Sequence, residues 1–299
     1  MKHTFRVMAK NLFALLILTI ILFGCSSNNN SSVQNPNAET LVHDGETREY
    51  VLYIPSSYDG TTAVPLMLNF HGYGGNATEY MASADMRLLA ESEIFILVYP
   101  QGSSLDGFSH WNASLPNSSN KSNADDLGFI EALINQLSSD YMINSERIYA
   151  CGYSNGGMMS YGLACYKSNL IAAMGSISGA MLDIADCTPS HPMPIINIHG
   201  TSDGVLPYNG SSDYNSVETT LNYWRDFNNT STTPVTNSVN DNGNVIEYSM
   251  YADGDNGSSV AHYKVIEGGH VWFDMNYEGA NTNKLIWDFV SRYDINGLR

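Results

Sequence analysis

The sequence predicts an α/β fold: a mostly parallel central sheet with helices on both faces. Two observations carry that prediction. Short apolar β-type runs recur along the chain, and segments with helical periodicity lie between several of them, the alternation that crossover connections produce. Strands alternating with helices in this way imply a mostly parallel sheet covered on both faces. In such folds ligands bind at the carboxyl ends of the strands, so residues that close a run are candidate site residues.

The elements follow in order. MKHTFRVMAK places Lys2, Arg6 and Lys10 before the apolar run LFALLILTIILF, which ends in Leu22-Phe23-Gly24-Cys25. A basic start, an apolar centre and small residues before a cysteine read as a signal peptide over residues 1–24. The ending resembles the lipobox at which bacterial signal peptidase cuts, which implies a lipid anchor on Cys25 and a lipoprotein exported to the bacterial cell envelope, facing the periplasm or the cell surface. The run is short for a membrane span of about 20 residues. SSNNNSSVQNPNAET then offers almost nothing to bury, so residues 25–42 are expected to be a disordered polar tether. Residues 43–299 are assigned to one α/β domain.

Within it, YVLYIP from residue 50, PLMLNF from 65, IFILVYP from 94, RIYACG from 147, AAMGSIS from 172, PIINIHG from 194 and HYKVIEGG from 262 are the strand candidates. ATEYMASADMRLLAESE and NADDLGFIEALINQLSSDY are the clearest helical segments. In the second, Leu127, Ile130, Ile134 and Leu137 share a face, and Asp125 and Asp126 sit where the helix dipole favours negative charge. TSTTPVTNSVNDNG, from residue 230, reads as a surface loop, as does DGDNGSS from 253, which lacks the spacing and closing Glu of a calcium loop.

Composition narrows the partners. The chain has 13 Lys and Arg against 30 Asp and Glu, a formal net charge of −17, and loss of residues 1–24 would remove only basic groups. Such acidity argues against nucleic acid. Of four cysteines, Cys25 is committed to lipid. Cys165 and Cys187 can close a loop in an exported protein, Cys151 lies in an apolar strand as a buried thiol, and no spacing suggests a metal site.

CGYSNGGMMS, residues 151–160, carries Gly-x-Ser-x-Gly between a strand-like run and a helical one. Strand, tight turn and helix are what a nucleophile elbow requires, which makes Ser154 the candidate nucleophile and gives Gly152 and Gly156 a steric purpose. A serine hydroxyl needs a histidine base and an acid to orient it. In α/β-hydrolases these follow as Ser, Asp or Glu, His. Asp203 comes just after PIINIHG and His270 just after HYKVIEGG, both at strand carboxyl ends. His262 begins its strand, and His43, His110 and His191 follow none. His71 and His199 each close a strand with His-Gly and are expected to satisfy local hydrogen bonds. Asp183 and Asp186 are rivals for the acid, but they lie too near the sheet's earlier crossover. Oxyanion donors are expected from the backbone N–H of Asn155, next to the nucleophile, and of Tyr73 in FHGYGGNA.

FHGYGGNATEY, VYPQG, SHWNAS, DDLGFIEALINQL, RIYACGYSNGGMMSYGLAC, IHGTSDGVLPYNG and EGGHVW together resemble the polyhydroxybutyrate depolymerase and feruloyl esterase group of α/β-hydrolases, in that family's order and over most of residues 45–290. The resemblance implies an α/β-hydrolase fold, an exported carboxylic-ester hydrolase using Ser154, Asp203 and His270, no cofactor or metal, and a bridge between Cys165 and Cys187. It gives Asp126 a structural role. Trp111, Met158 and Trp272, with Tyr73, are expected to line an apolar substrate pocket, although Trp111 and Met158 also suit ordinary core. Plant cell-wall feruloyl or acetyl esters lead as substrates, followed by hydroxybutyrate polyesters or their oligomers. A serine peptidase and a non-catalytic surface lipoprotein rank lower.

Overall fold

The computed structural model describes residues 38–116 and 120–299. The expected signal peptide, Cys25 and residues 25–37 of the expected tether lie outside the described residues. The main strands are β1 (Ala38–His43), β2 (Glu46–Tyr53), β3 (Val64–Phe70), β4 (Ile96–Pro100), β5 (Ser103–Leu105), β6 (Phe108–His110), β7 (Ile143–Tyr153), β8 (Ala173–Ile177), β9 (Ile195–Gly200), β10 (Val235–Asp241), β11 (Asn244–Tyr251) and β12 (Val260–Val265). The main helices are α1 (Ala77–Ser83), α2 (Arg87–Glu93), α3 (Asp126–Asp140), α4 (Asn155–Tyr166), α5 (Val217–Phe227) and α6 (Thr282–Val290). Among the described residues no helix is long and apolar enough to cross a membrane.

One sheet runs in the order β1-β2-β4-β3-β7-β8-β9-β12-β11-β10. Its centre, from β4 through β12, is parallel, and its flanks are antiparallel. Alternate residues of the central strands feed two cores. Leu66, Leu68 and Phe70 of β3 meet the side covered by α3, α4 and α5, while Met67, with Leu97 of β4 and Cys151 of β7, meets the side of α1, α2 and α6. Leu127, Ile130, Ile134 and Leu137 of α3 are all buried against the first side. Each such side chain contributes about 1.5–3 kcal/mol of hydrophobic stabilisation. The predicted layering is therefore what the sheet shows, and every strand predicted from an apolar run belongs to it.

Three expectations need correction. Residues 38–42, assigned to the tether, belong to β1, which pairs with β2 from Ala38↔Val51 to His43↔Glu46. These residues therefore belong to the sheet; their polar composition misled because this edge strand buries little. The helical segment 77–93 is two helices, since Asp85 accepts from the Arg87 N–H and binds its guanidinium at 2.6 Å, a local alternative to continued helix. The expected loop from residue 230 contains β10, which pairs with β11 from Val235↔Met250 to Asp241↔Asn244. Asn242 and Gly243 both have positive φ, 51° and 94°, the backbone of a two-residue I′ hairpin turn.

Cys165, near the end of α4, is bridged to Cys187. Cys151 is buried and free, and burial pushes its thiol far above the ordinary range. Asp125 caps α3 through the Gly128 N–H. Asp126, the next residue, does more than complement a dipole. Its buried carboxylate accepts from Arg48 at 2.6 Å, from Ser103 Oγ and from the Asn112 N–H, both at 2.7 Å, and so fastens the Trp111 loop to β2.

Candidate active site

Ser154 sits between β7 and α4 with φ 55° and ψ −118°, a backbone conformation that costs a non-glycine residue about 1–3 kcal/mol. The tight junction explains both flanking glycines. A Cβ on Gly152 would collide with the Gly156 carbonyl, and one on Gly156 with the Phe70 carbonyl. The Ser154 N–H donates to Ile177 O of β8 and its carbonyl accepts from Met158 N–H, so the turn is held from both sides.

Ser154, His270 and Asp203, expected from three separate strand ends, come together. Ser154 Oγ lies 2.8 Å from His270 Nε2, and His270 Nδ1 lies 2.8 Å from Asp203 Oδ2. A hydroxyl, an imidazole and a carboxylate in this order can pass a proton from oxygen to nitrogen while the carboxylate holds the ring. His270 is positioned through its backbone: Tyr153 OH donates to its carbonyl, and Ser178 Oγ donates to the carbonyl of Val271. Neither residue carried a sequence signal for that task.

Asp203 is buried, and burial alone would raise its pKa. Hydrogen bonds from His199, His270 and the N–H groups of Leu206 and Val205 outweigh that effect and hold it below the usual carboxylate range. Oδ1 takes the two backbone donors at 2.8 and 2.9 Å. Oδ2 takes His270 and, at 3.3 Å, His199 Nε2. Because His199 Nε2 also faces Leu206 O at 2.9 Å, an acceptor only, Nε2 must carry the proton. His199 does satisfy a local bond, as expected, but it also anchors the acid.

The other histidines keep local partners. His71 Nδ1–H donates to Gly72 O and Nε2 accepts from the Gly102 N–H; burial lowers its pKa to about 4. His262 meets Tyr208 OH at 2.8 Å, and burial lowers it to about 3. Among the described residues the one set of metal-type donors is His43, Asp44 and Asp125. It has exposed carboxylates and shares no residue with the triad.

The Asn155 N–H opens α4 beside Ser154, and the Tyr73 N–H lies in the loop after β3. Among the described residues neither donates to a protein acceptor, whereas the adjacent Gly74 and Gly75 N–H groups are bound to Ser109 O and Gly72 O. The Asn155 side chain clamps Trp111, accepting from its N–H at 2.7 Å and donating to its carbonyl at 3.0 Å. Beside Ser154 opens a cleft of about 490 Å³ lined by Tyr73, Trp111 and Met158, together with Lys121, Leu182 and Tyr214. The last three come from irregular segments without periodicity and were not anticipated. Trp111 is almost wholly buried, its indole N–H on His71 O and its ring edge-on to Phe70, so it forms floor as well as core. Trp272 is the exception among the expected pocket residues. It is not part of this lining; its ring packs edge-on against Tyr80 at 5.8 Å, because the chain beyond His270 turns toward α1.

Residues 48–226 match the family profile described as Esterase PHB (polyhydroxybutyrate) depolymerase. That span includes Ser154 and Asp203 and stops before His270. The chain is 27% identical over 261 residues to feruloyl esterase B of Piromyces equi, covering 83% of this chain and 46% of that protein. It is 30% identical over 212 residues to a probable feruloyl esterase C of Aspergillus niger, covering 68% and 73%. The chain thus spans less than half the length of the Piromyces protein. In fold it is similar to the solved acetyl xylan esterase from Aspergillus awamori, with a TM-score of 0.62, 15% identity, and coverage of 85% of this chain and 98% of that one.

Proposed function

Since the chain belongs to the esterase PHB depolymerase family, we propose that it is a serine carboxylic-ester hydrolase working through an acyl-enzyme. The observation that carries this is the continuous hydrogen-bond chain from Ser154 through His270 to Asp203, beside two N–H groups with no protein acceptor. Ser154 Oγ attacks the ester carbonyl as its proton passes to His270 Nε2. The resulting oxyanion receives the Asn155 and Tyr73 N–H groups, a contribution of about 3–4 kcal/mol per donor in comparable sites. His270 then protonates the departing alcohol oxygen, leaving the acyl group on Ser154. Water, deprotonated by His270, attacks that acyl group; the acid leaves and the proton returns to Ser154. Asp203 stays ionised throughout, its four hydrogen bonds making it a poor base.

Feruloyl or acetyl esters of plant cell-wall polysaccharide are the preferred substrates, supported by the named activities of the relatives and by the aromatic and apolar side chains of the cleft. Hydroxybutyrate oligomers are the second reading, favoured by the matched family's description. The full chain and Ser154→Ala should be compared on methyl ferulate, p-nitrophenyl acetate and a soluble hydroxybutyrate oligomer. Serine-dependent hydrolysis is expected, fastest on the first two. Equal rates for both proteins, or no turnover by folded wild type, would refute the reading.

We also propose that Cys25 carries lipid and tethers the enzyme to the bacterial envelope. The Cys165–Cys187 bridge agrees with an oxidising compartment. Labelled palmitate should enter the wild type and not Cys25→Ser; equal labelling would remove the anchor.

A further inference from the structure

A second cavity, about 480 Å³, lies at the β12-β11-β10 side of the sheet and is lined by Tyr248 of β11, Tyr263 of β12 and Tyr277, with Asn237, Glu278 and Arg292 around them. It nearly equals the Ser154 cleft in volume and shares no residue with it. Its tyrosines belong to the core on the α6 side, whereas Trp111, Met158 and Leu206 of the cleft belong to the core on the opposite side. All of its lining residues lie beyond the family-matched span 48–226.

The hydroxyls distinguish this cavity from ordinary surface relief. Tyr50, Tyr80, Tyr99, Tyr149, Tyr161 and Tyr293, all buried, each place their hydroxyl in a hydrogen bond, as buried phenols do as a rule. Tyr263 and Tyr277 are equally buried as residues, 7% and 5% exposed, but their hydroxyls open onto the cavity: Tyr277 takes a hydrogen bond from the rim residue Asn237, and among the described residues the hydroxyls of Tyr263 and half-buried Tyr248 meet no protein partner and are not sealed from solvent. Burial raises all three above the ordinary phenol range, so they remain neutral donors. The rings stand 4.7, 5.6 and 5.1 Å apart. At the rim, Asn237 Nδ2 donates to Glu278 at 2.6 Å, and exposed Arg292 has no carboxylate within ion-pair distance among the described residues.

Each class of ligand can be weighed against this lining. A purely apolar ligand would strand the phenol hydroxyls. An anion would face Glu278 and Asp288, in a chain already strongly acidic. A neutral ring bearing many hydroxyls meets aromatic surface with its C–H face and phenols, amide, carboxylate and guanidinium with its edge. We propose that this cavity is a non-catalytic binding site for a neutral oligosaccharide chain. It would hold a polysaccharide on the domain while leaving the Ser154 cleft open, raising the local concentration of ester. That benefit to turnover rests on the proposed esterase activity; the binding itself does not.

Calorimetric titration of the full chain with xylohexaose tests the proposal, alongside Tyr263→Phe, Tyr248→Ala and the cleft variant Lys121→Ala, with p-nitrophenyl acetate hydrolysis measured in parallel. Saturable binding is expected, weakened about three- to tenfold by loss of the single Tyr263 hydroxyl and further by Tyr248→Ala, with Lys121→Ala unchanged and hydrolysis unaltered in the two tyrosine variants. Tyr263→Phe keeps the ring and hence the packing, so its effect is not one of unfolding. No saturable binding by wild type, or binding lost in Lys121→Ala and retained in both tyrosine variants, would overturn the site. Groove-dependent binding by a wild type that hydrolyses no ester would uphold it and count against the esterase reading alone.

Discussion

Two turns of this molecule look alike in sequence and differ in what they do. β3 runs into His71-Gly72 and β9 closes with His199-Gly200, both histidines buried beside Ser154's neighbourhood. His71 spends both ring nitrogens on backbone, Gly72 O and the Gly102 N–H, and so shapes the loop that presents Tyr73. His199 turns Nε2–H to Leu206 O and to Asp203 Oδ2. The same dipeptide shapes the loop that carries Tyr73 on one side and steadies Asp203 on the other. What decides is the next loop: after Gly200 the chain brings Asp203 back within reach, whereas after Gly72 it offers no carboxylate.

The largest effect is predicted at the carboxylate that His199 shares with His270. Asp203→Asn should lower kcat by roughly 10⁴-fold, as loss of the acid does in comparable triads. It should also destabilise the fold at neutral pH. Asp203 has a depressed pKa in the folded state, so its stabilisation is complete above the unfolded value, about 3.9, and fades as pH falls below it. Urea unfolding of both proteins across pH should show the gap closing below about pH 4; a constant gap would contradict the assignment.

The next effect separates the two histidines. His199→Leu removes a donor from Asp203, leaving the carboxylate freer and more basic, so it holds the imidazolium of His270 more tightly. A roughly 10- to 100-fold loss in kcat is expected, with the acid limb of the pH–rate profile moved upward, and partial rescue by His199→Gln, whose amide can donate from a similar position. His71→Leu should cost about tenfold by loosening the Tyr73 loop and leave the acid limb in place. Identical pH profiles for the two leucine variants would mean that the His199 contact has no electrostatic consequence.

The contrast also shows why the sequence was informative in some places and silent in others. Ser154, Asp203 and His270 were legible because each follows an apolar run, and strand ends are where a parallel sheet gathers function. The sharing of Asp203 by His199 was not, since it depends on the path of residues 201–206. β10 was missed although Asn242-Gly243 announced its turn; a polar edge strand buries too little to show an apolar run. Lys121, Leu182 and Tyr214 reach the cleft from irregular segments, where no period exists to read. Trp272 was misplaced by its nearness to His270 in sequence, which says nothing of the direction in which the chain turns.

Ser154 Oγ is the atom proposed to become acylated, and trapping it is the most direct measurement. The full chain should be treated with an activated alkyl phosphonate ester, digested and examined by mass spectrometry. One adduct is expected, on the peptide containing Ser154, formed in step with the loss of p-nitrophenyl acetate hydrolysis and absent from Ser154→Ala. Inactivation with the label on another residue, or full activity in a protein fully labelled at Ser154, would contradict it.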